Sequence, residues 1–152
     1  MAFADNNIAT LNRLDQQALW SSEAELDKVF LVGAGGFIGS ILRYVIGGLV
    51  QSAIPAALFP YGTFIINVSG CFAIGMLSQL SEAQGALGPG ARAFIVVGIL
   101  GGYTTSSTFA NETVNLMRDG QYFASGTNMT GQLGLGLCAV WLGRLTANVL
   151  WR

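Results

Sequence analysis

Histidine is absent from the 152 residues, charged side chains make up only 10% of them, and there are three prolines and two cysteines. Without histidine the chain lacks the commonest general base and the commonest metal ligand. Cys71 and Cys138 lie far apart, each in an apolar run. A zinc site needs clustered ligands and a disulfide framework needs more cysteines, so both are read as small packing residues. The net charge is −1, with no basic tract and no interleaving of basic and aromatic residues. That argues against a nucleic-acid partner. No nucleophile–base pair, phosphate loop or cofactor motif stands in the chain, so neither an enzyme nor an organic cofactor is expected.

What is present is apolar: 52% of the residues are hydrophobic and the mean hydropathy is +0.54. An ordinary soluble domain is about 25% charged. A soluble protein this small exposes most of its residues and could not cover its surface with so few charges. The solvent around most of this chain is therefore a lipid bilayer.

Residues 1–28 form a polar, acidic N-terminal extension that holds Asp5, Asp15, Glu23, Glu25 and Asp27, five of the eight acidic residues. It lacks the basic start and apolar run of a signal peptide. Leu11, Leu14, Ala18 and Leu19 fall at helical spacing, which allows a short amphipathic helix. A solvated extension is the preferred reading. Residues 29–152 hold four apolar runs: Val29 to Val50, Tyr61 to Leu80, about Phe94 to Met117, and about Phe123 to Leu150. About 20 residues cross a bilayer core. Pro55 and Pro60 mark the first connection, and residues 81–91, rich in Gly and Pro, mark the second. Tyr122, Trp141 and Trp151 can anchor span ends at the headgroups. The expectation is an all-α integral membrane protein with four transmembrane helices and antiparallel neighbours. Arg13, Lys28, Arg92, Arg144 and Arg152 then fall on one side, against Arg43 and Arg118 on the other. This weak bias is compatible with insertion in both orientations.

Gly35/Gly39 and Gly98/Gly102 are small-xxx-small pairs of the kind that let helix backbones approach in lipid. The third run carries the most information. Gly101-Gly102-Tyr103 is followed by Thr104, Thr105, Ser106, Ser107 and Thr108, then Phe109. Glycine weakens a helix by about 1 kcal/mol and hydroxyl side chains compete for backbone bonds. A break here would fall near mid-membrane, where irregular backbone survives only when buried in protein or lining a wet cavity. Freed carbonyls at such a break can hold a cation, and free N–H groups can face an anion. The other reading is an unbroken helix whose hydroxyls bond to the preceding turn.

In the second run Thr63 and Asn67 share a helical face, while Ser69 lies off it. Asn67 is either a donor to an anion or interhelical glue. Arg43 and Glu112 are ionisable groups within spans and hence functional candidates by default; a structural Arg–Glu or Arg–backbone contact is the competing account. Asn128, Thr130 and Gln132 put polar groups near the start of the fourth run. They form one side of a polar track, or they mark a helix that begins later.

Three segments resemble the Fluc (CrcB) family of fluoride channels. Gly35-Gly36-x-x-Gly39-Ser40-x-x-Arg43-Tyr44 is similar to its first-helix signature. Gly62-Thr63-x-x-x-Asn67-x-x-Gly70 is similar to its second-helix motif. Residues 101–109 are similar to its third-helix Gly-Gly-x-Thr-Thr-Phe-Ser-Thr-Phe. The resemblance covers roughly residues 29–152. It implies a passive, selective channel exporting cytoplasmic fluoride from the inner (plasma) membrane. It implies an antiparallel, dual-topology homodimer with two pores at the subunit interface. It also implies a central structural Na⁺ on backbone carbonyls, here those of Gly101 and Thr104. Thr63, Asn67, Ser106, Ser107, Thr108, Phe109, Asn128 and Gln132 would form the fluoride pathway, and Arg43 and Glu112 match recurring charges. Ser106 departs from the family's first pore phenylalanine. The substitution is compatible with a conducting variant, an engineered change, or a subunit completed by a complementary second one. Asn128 and Gln132 stand where Tyr and Ser are expected. The competing functions are a small proton-coupled multidrug exporter, for which only Glu112 could serve as the titrating carboxylate, and a non-conducting accessory subunit.

Overall fold

The computed structural model describes the backbone of residues 2–54, 58–85 and 87–151. Side chains are described at residues 23, 25–54, 58–82, 85 and 87–151. The side chains of the amphipathic candidates Leu11, Leu14, Ala18 and Leu19, those of Asp5, Arg13 and Asp15, and residues Pro55 and Arg152 lie outside the described residues.

Among the described residues, four helices are long and apolar enough to cross a membrane: Glu25–Ala53, Tyr61–Glu82, Pro89–Arg118 and Tyr122–Leu150. The first belongs to a continuous helix, Ala2–Ala53. The acidic extension thus joins the first span without leaving the helix. The second helix, Tyr61–Gln84, follows Pro60, and the third span starts with Pro89 in its first turn, where a missing N–H costs nothing. The fourth, Tyr122–Leu150, starts before Asn128, so the polar residues 128–132 lie inside the helix and do not mark its beginning. Between the third and fourth spans the chain reverses at Gly120. Its φ of 75° is in the left-handed region and its N–H donates to Met117 O at 3.0 Å.

The helices associate in two pairs. The first packs against the opening half of the third span, and the second packs against the fourth. Glycine makes the first pairing possible. A Cβ on Gly98 would stand 2.9 Å from Gly35 Cα and 2.9 Å from Val32 O, and one on Gly102 would stand 2.6 Å from Gly36 O. Gly35 and Gly39 face the backbone of residues 94–103 in the same way. The predicted small-xxx-small pairs therefore meet each other across one seam, main chain on main chain. The stretch Ala93–Leu100 on this seam is wound as a π-helix, which the sequence pattern did not anticipate.

The third span is broken. Its first half ends with Gly101–Tyr103 and its second half is Ser106–Arg118. Thr104 (φ −81°, ψ 155°) and Thr105 (φ −150°, ψ 114°) are extended. The unbroken-helix reading is thereby excluded. Gly101 and Gly102 remain helical, and the break falls two residues later than the glycines themselves.

Candidate ion pathway

The second half-helix has its own cap. Thr105 Oγ1 accepts the Thr108 N–H at 3.3 Å and donates to Thr108 Oγ1 at 3.0 Å. Ser107 Oγ lies 3.3 Å from the same oxygen. Part of the hydroxyl cluster is therefore a cap, the device a helix beginning inside a membrane requires.

Asn67 reaches this break from the second helix. Its Oδ1 accepts the Thr105 N–H at 2.9 Å and its Nδ2 donates to Thr105 O at 3.1 Å. In a continuous helix that N–H would close onto Gly101 O. Turned to Asn67, it leaves the Gly101 carbonyl without its helical donor. Thr104 O receives Arg43 Nη1 at 3.4 Å, a long and weak contact. Thr104 itself continues to bond back, its N–H and Oγ1 both donating to Leu100 O.

Two clefts flank the break, and Thr105 lines both. One, of about 510 Å³, is walled by Arg43, Gln51, Thr63, Thr108 and Glu112. Thr63 donates to Glu112 Oε1 at 2.7 Å, while Glu112 Oε2 is buried with no hydrogen-bond partner among the described residues. Arg43 and Glu112 thus share a cleft without forming an ion pair, and the Arg–backbone alternative is the one found. The other cleft, of about 530 Å³, is walled by Asn67, Gly101, Thr104, Ser106, Phe109 and Gln132. Ser106, Ser107 and Thr108 are exposed on the single chain at the centre of its third span.

Of the expected pathway residues, Ser107 and Asn128 line neither cleft, Ser107 being exposed and Asn128 buried. Asn128 is 0% exposed, behind the second cleft, where its Nδ2 donates to Thr113 Oγ1 at 2.9 Å and its Oδ1 accepts Gln132 Nε2 at 3.0 Å. Gln132 Oε1 in turn accepts Asn67 Nδ2 at 2.6 Å. Thr130 bonds back to Gly126 O at 2.8 Å and joins no cleft network. Thr113 and Ser125 were not singled out from the sequence. Ser125, 1% exposed, donates to Thr113 O at 3.1 Å. Thr113 donates to Phe109 O at 2.7 Å, the i−4 back-bond that threonines in apolar helices favour, and that habit was the one available signal.

Four apolar helices, one interrupted at mid-span, with a cleft on each side of the interruption that carries several polar side chains among apolar ones, define a multi-pass plasma-membrane protein. Residues 30–144 match the family model described as "CrcB-like protein, Camphor Resistance (CrcB)". A "Fluoride-specific ion channel FluC" of Nitratidesulfovibrio vulgaris is 42% identical over 125 residues, 82% of this chain and 100% of the relative. One of Elusimicrobium minutum is 42% identical over 82% of this chain and 97% of its own length. One of Solibacter usitatus is 43% identical over 80% and 98%. The chain belongs to the CrcB (FluC) family, whose members are ion channels and not enzymes. The family match begins at Phe30 and leaves the N-terminal extension outside it.

Proposed function

We propose that the protein is a passive, fluoride-selective channel that works as an antiparallel, dual-topology homodimer with two pathways at the subunit interface. The observation that carries this reading is the outward exposure of Ser106, Ser107 and Thr108 at the centre of a membrane span. Hydroxyl groups and a broken backbone are costly against lipid tails. A second copy covering the two clefts would remove them from lipid and leave between the subunits a narrow polar route. The relatives named fluoride-specific channels are 42% identical to this chain over 100% and 97% of their own length.

Fluoride is small and strongly hydrated, so its water must be replaced by donors. Along the second cleft these are the hydroxyl of Ser106, the second amide proton of Gln132 and the positive ring edge of Phe109, while Asn67, whose two amide protons go to Thr105 O and Gln132 Oε1, shapes the wall. Thr108 supplies a hydroxyl along the first, where the proton of Thr63 is held by Glu112 Oε1. Several weak sites allow the ion to leave as well as enter. Flux runs down the gradient and lowers internal fluoride that entered as neutral hydrogen fluoride.

The carbonyls of Gly101 and Thr104 are the proposed holders of a structural Na⁺. Neutral carbonyl oxygens suit a hard cation, and the Gly101 carbonyl lacks its helical donor. Two carbonyls from each of two copies would give the ion four protein oxygens. A bound Na⁺ would offset carbonyl dipoles that otherwise face one another at the dimer centre.

The test is fluoride efflux from liposomes carrying the purified protein, beside Ser106→Phe and a chloride control. Rapid, fluoride-selective efflux from the parent supports the channel with a hydroxyl in place of the first ring. Efflux from Ser106→Phe alone assigns the chain to the accessory role, needing a complementary subunit. Silence from both overturns the channel reading.

A further inference from the structure

The second half of the third span and its cap residue Thr105 carry both ends of one chain of hydrogen bonds, part-buried along most of its length and buried at Asn128 and Thr113. It starts at the Thr105 N–H, accepted by Asn67 Oδ1 at 2.9 Å. Asn67 Nδ2 donates to Gln132 Oε1 at 2.6 Å, and Gln132 Nε2 donates to Asn128 Oδ1 at 3.0 Å. Asn128 Nδ2 donates to Thr113 Oγ1 at 2.9 Å, and Thr113 donates to Phe109 O at 2.7 Å. Every link runs in the same direction. A backbone N–H can only donate and a carbonyl can only accept, so the two ends fix the orientation of the three carboxamides between them. Asn128 and Thr113 are 0% and 5% exposed, out of reach of an ion in either cleft.

We infer that Thr113 and Asn128 are positioning residues of the pathway. They never meet the ion, and they hold Gln132, and through it Asn67 and the opened Thr105 peptide, in the arrangement presented to the second cleft. The consequence for flux rests on the channel reading above; the consequence for side-chain orientation rests on the hydrogen bonds alone. Thr113 is the anchor. Its single proton is committed to Phe109 O, so its oxygen serves Asn128 only as an acceptor. Valine has the same shape and offers no acceptor. The Asn128 amide would then be buried with a free end, a state that favours reorientation toward another partner. Gln132, which leans on Asn128, would lose its fixed setting at the cleft wall.

The experiment compares the parent with Thr113→Val and Thr113→Ser, each ¹⁵N-labelled on carboxamides for NMR in micelles and also reconstituted for efflux. In Thr113→Val the side-chain amide signals of Asn128, Gln132 and Asn67 should all move. Fluoride efflux should fall about tenfold, near the top of the range for a single interhelical hydrogen bond. Thr113→Ser should restore both to within about twofold, since it keeps the hydroxyl. A merely structural threonine would lower the melting temperature and leave the Gln132 and Asn67 signals in place, and that result overturns the inference. Should Thr113→Val fail to fold, deuterium exchange of the parent decides. Carboxamide protons of Asn128, Gln132 and Asn67 must exchange more slowly than those of exposed Asn115, and equal rates overturn it. A parent that binds and passes no fluoride removes the channel reading, while the amide signals still decide the positioning role.

Discussion

The carboxamide of Asn67 holds both backbone groups of Thr105, accepting its N–H at 2.9 Å and donating to its carbonyl at 3.1 Å. The side-chain oxygen replaces Gly101 O, the helical acceptor that the break takes from the Thr105 N–H, and the amide adds a bond to the carbonyl that caps the second half-helix. The helix can therefore open at mid-span without leaving that peptide bare.

Asn67→Leu keeps the volume and removes the pairing. Loss of about 1–3 kcal/mol is expected, the cost of leaving a buried polar group unsatisfied. Thermal or denaturant unfolding in detergent would report it. A variant as stable as the parent would mean that the Thr105 peptide finds another partner.

Gly98→Ala places a methyl group 2.9 Å from Gly35 Cα and 2.9 Å from Val32 O. Both neighbours are main chain and cannot turn aside, so about 1–3 kcal/mol of overpacking follows. Gly33→Ala on the first helix, across the seam from Gly98, meets no atom within 4 Å and should be neutral. Matched melting curves of the two variants test whether the seam, and not glycine content in general, sets stability.

Arg144 grips Glu82 through two bonds of 3.0 Å each, and neither side chain is buried. Exposed pairs are screened and contribute little. Arg144→Gln should leave the melting temperature and the efflux rate unchanged within error. A clear drop in either would show that this end of the second and fourth helices is less open to water than its exposure indicates.

Removal of residues 2–24 should leave the four spans and their ion flux intact, because the family match begins only at Phe30. Liposome efflux of the shortened chain, scaled to protein incorporated, is the measurement. A loss above about twofold, larger than the scatter of neutral surface changes, would give the acidic segment a part in conduction.

The sequence made the four spans, the glycine seam and the break readable for physical reasons. Apolar runs of membrane length, small residues four apart and hydroxyls following Gly101-Gly102 each have local causes. The partner of Asn67 was not readable, since Thr105 lies 38 residues away and no periodicity joins them. Asn128 read as a pathway residue because polarity in a span looks the same whether it faces an ion or a buried threonine. Thr113 was passed over because one threonine in an apolar helix usually bonds to its own preceding turn, and this one does so while also accepting from Asn128. The joining of the acidic extension to the first span could not be read from composition, which changes sharply where the backbone does not.

The break also changes which parts of the chain move together. The opening half of the third span lies on the first helix, and the closing half lies on the fourth. Most bundles carry the chain from one packed unit to the next through a loop in water. Here the transfer is made in the middle of the bilayer, at Thr104 and Thr105. The chain thus passes between the two pairs three times, twice through the connections on either side of the second helix and once inside the third span. Only the third of these crossings lies at mid-span, so a relative shift of the pairs bears there on Thr104 and Thr105, the two residues that stand between the clefts.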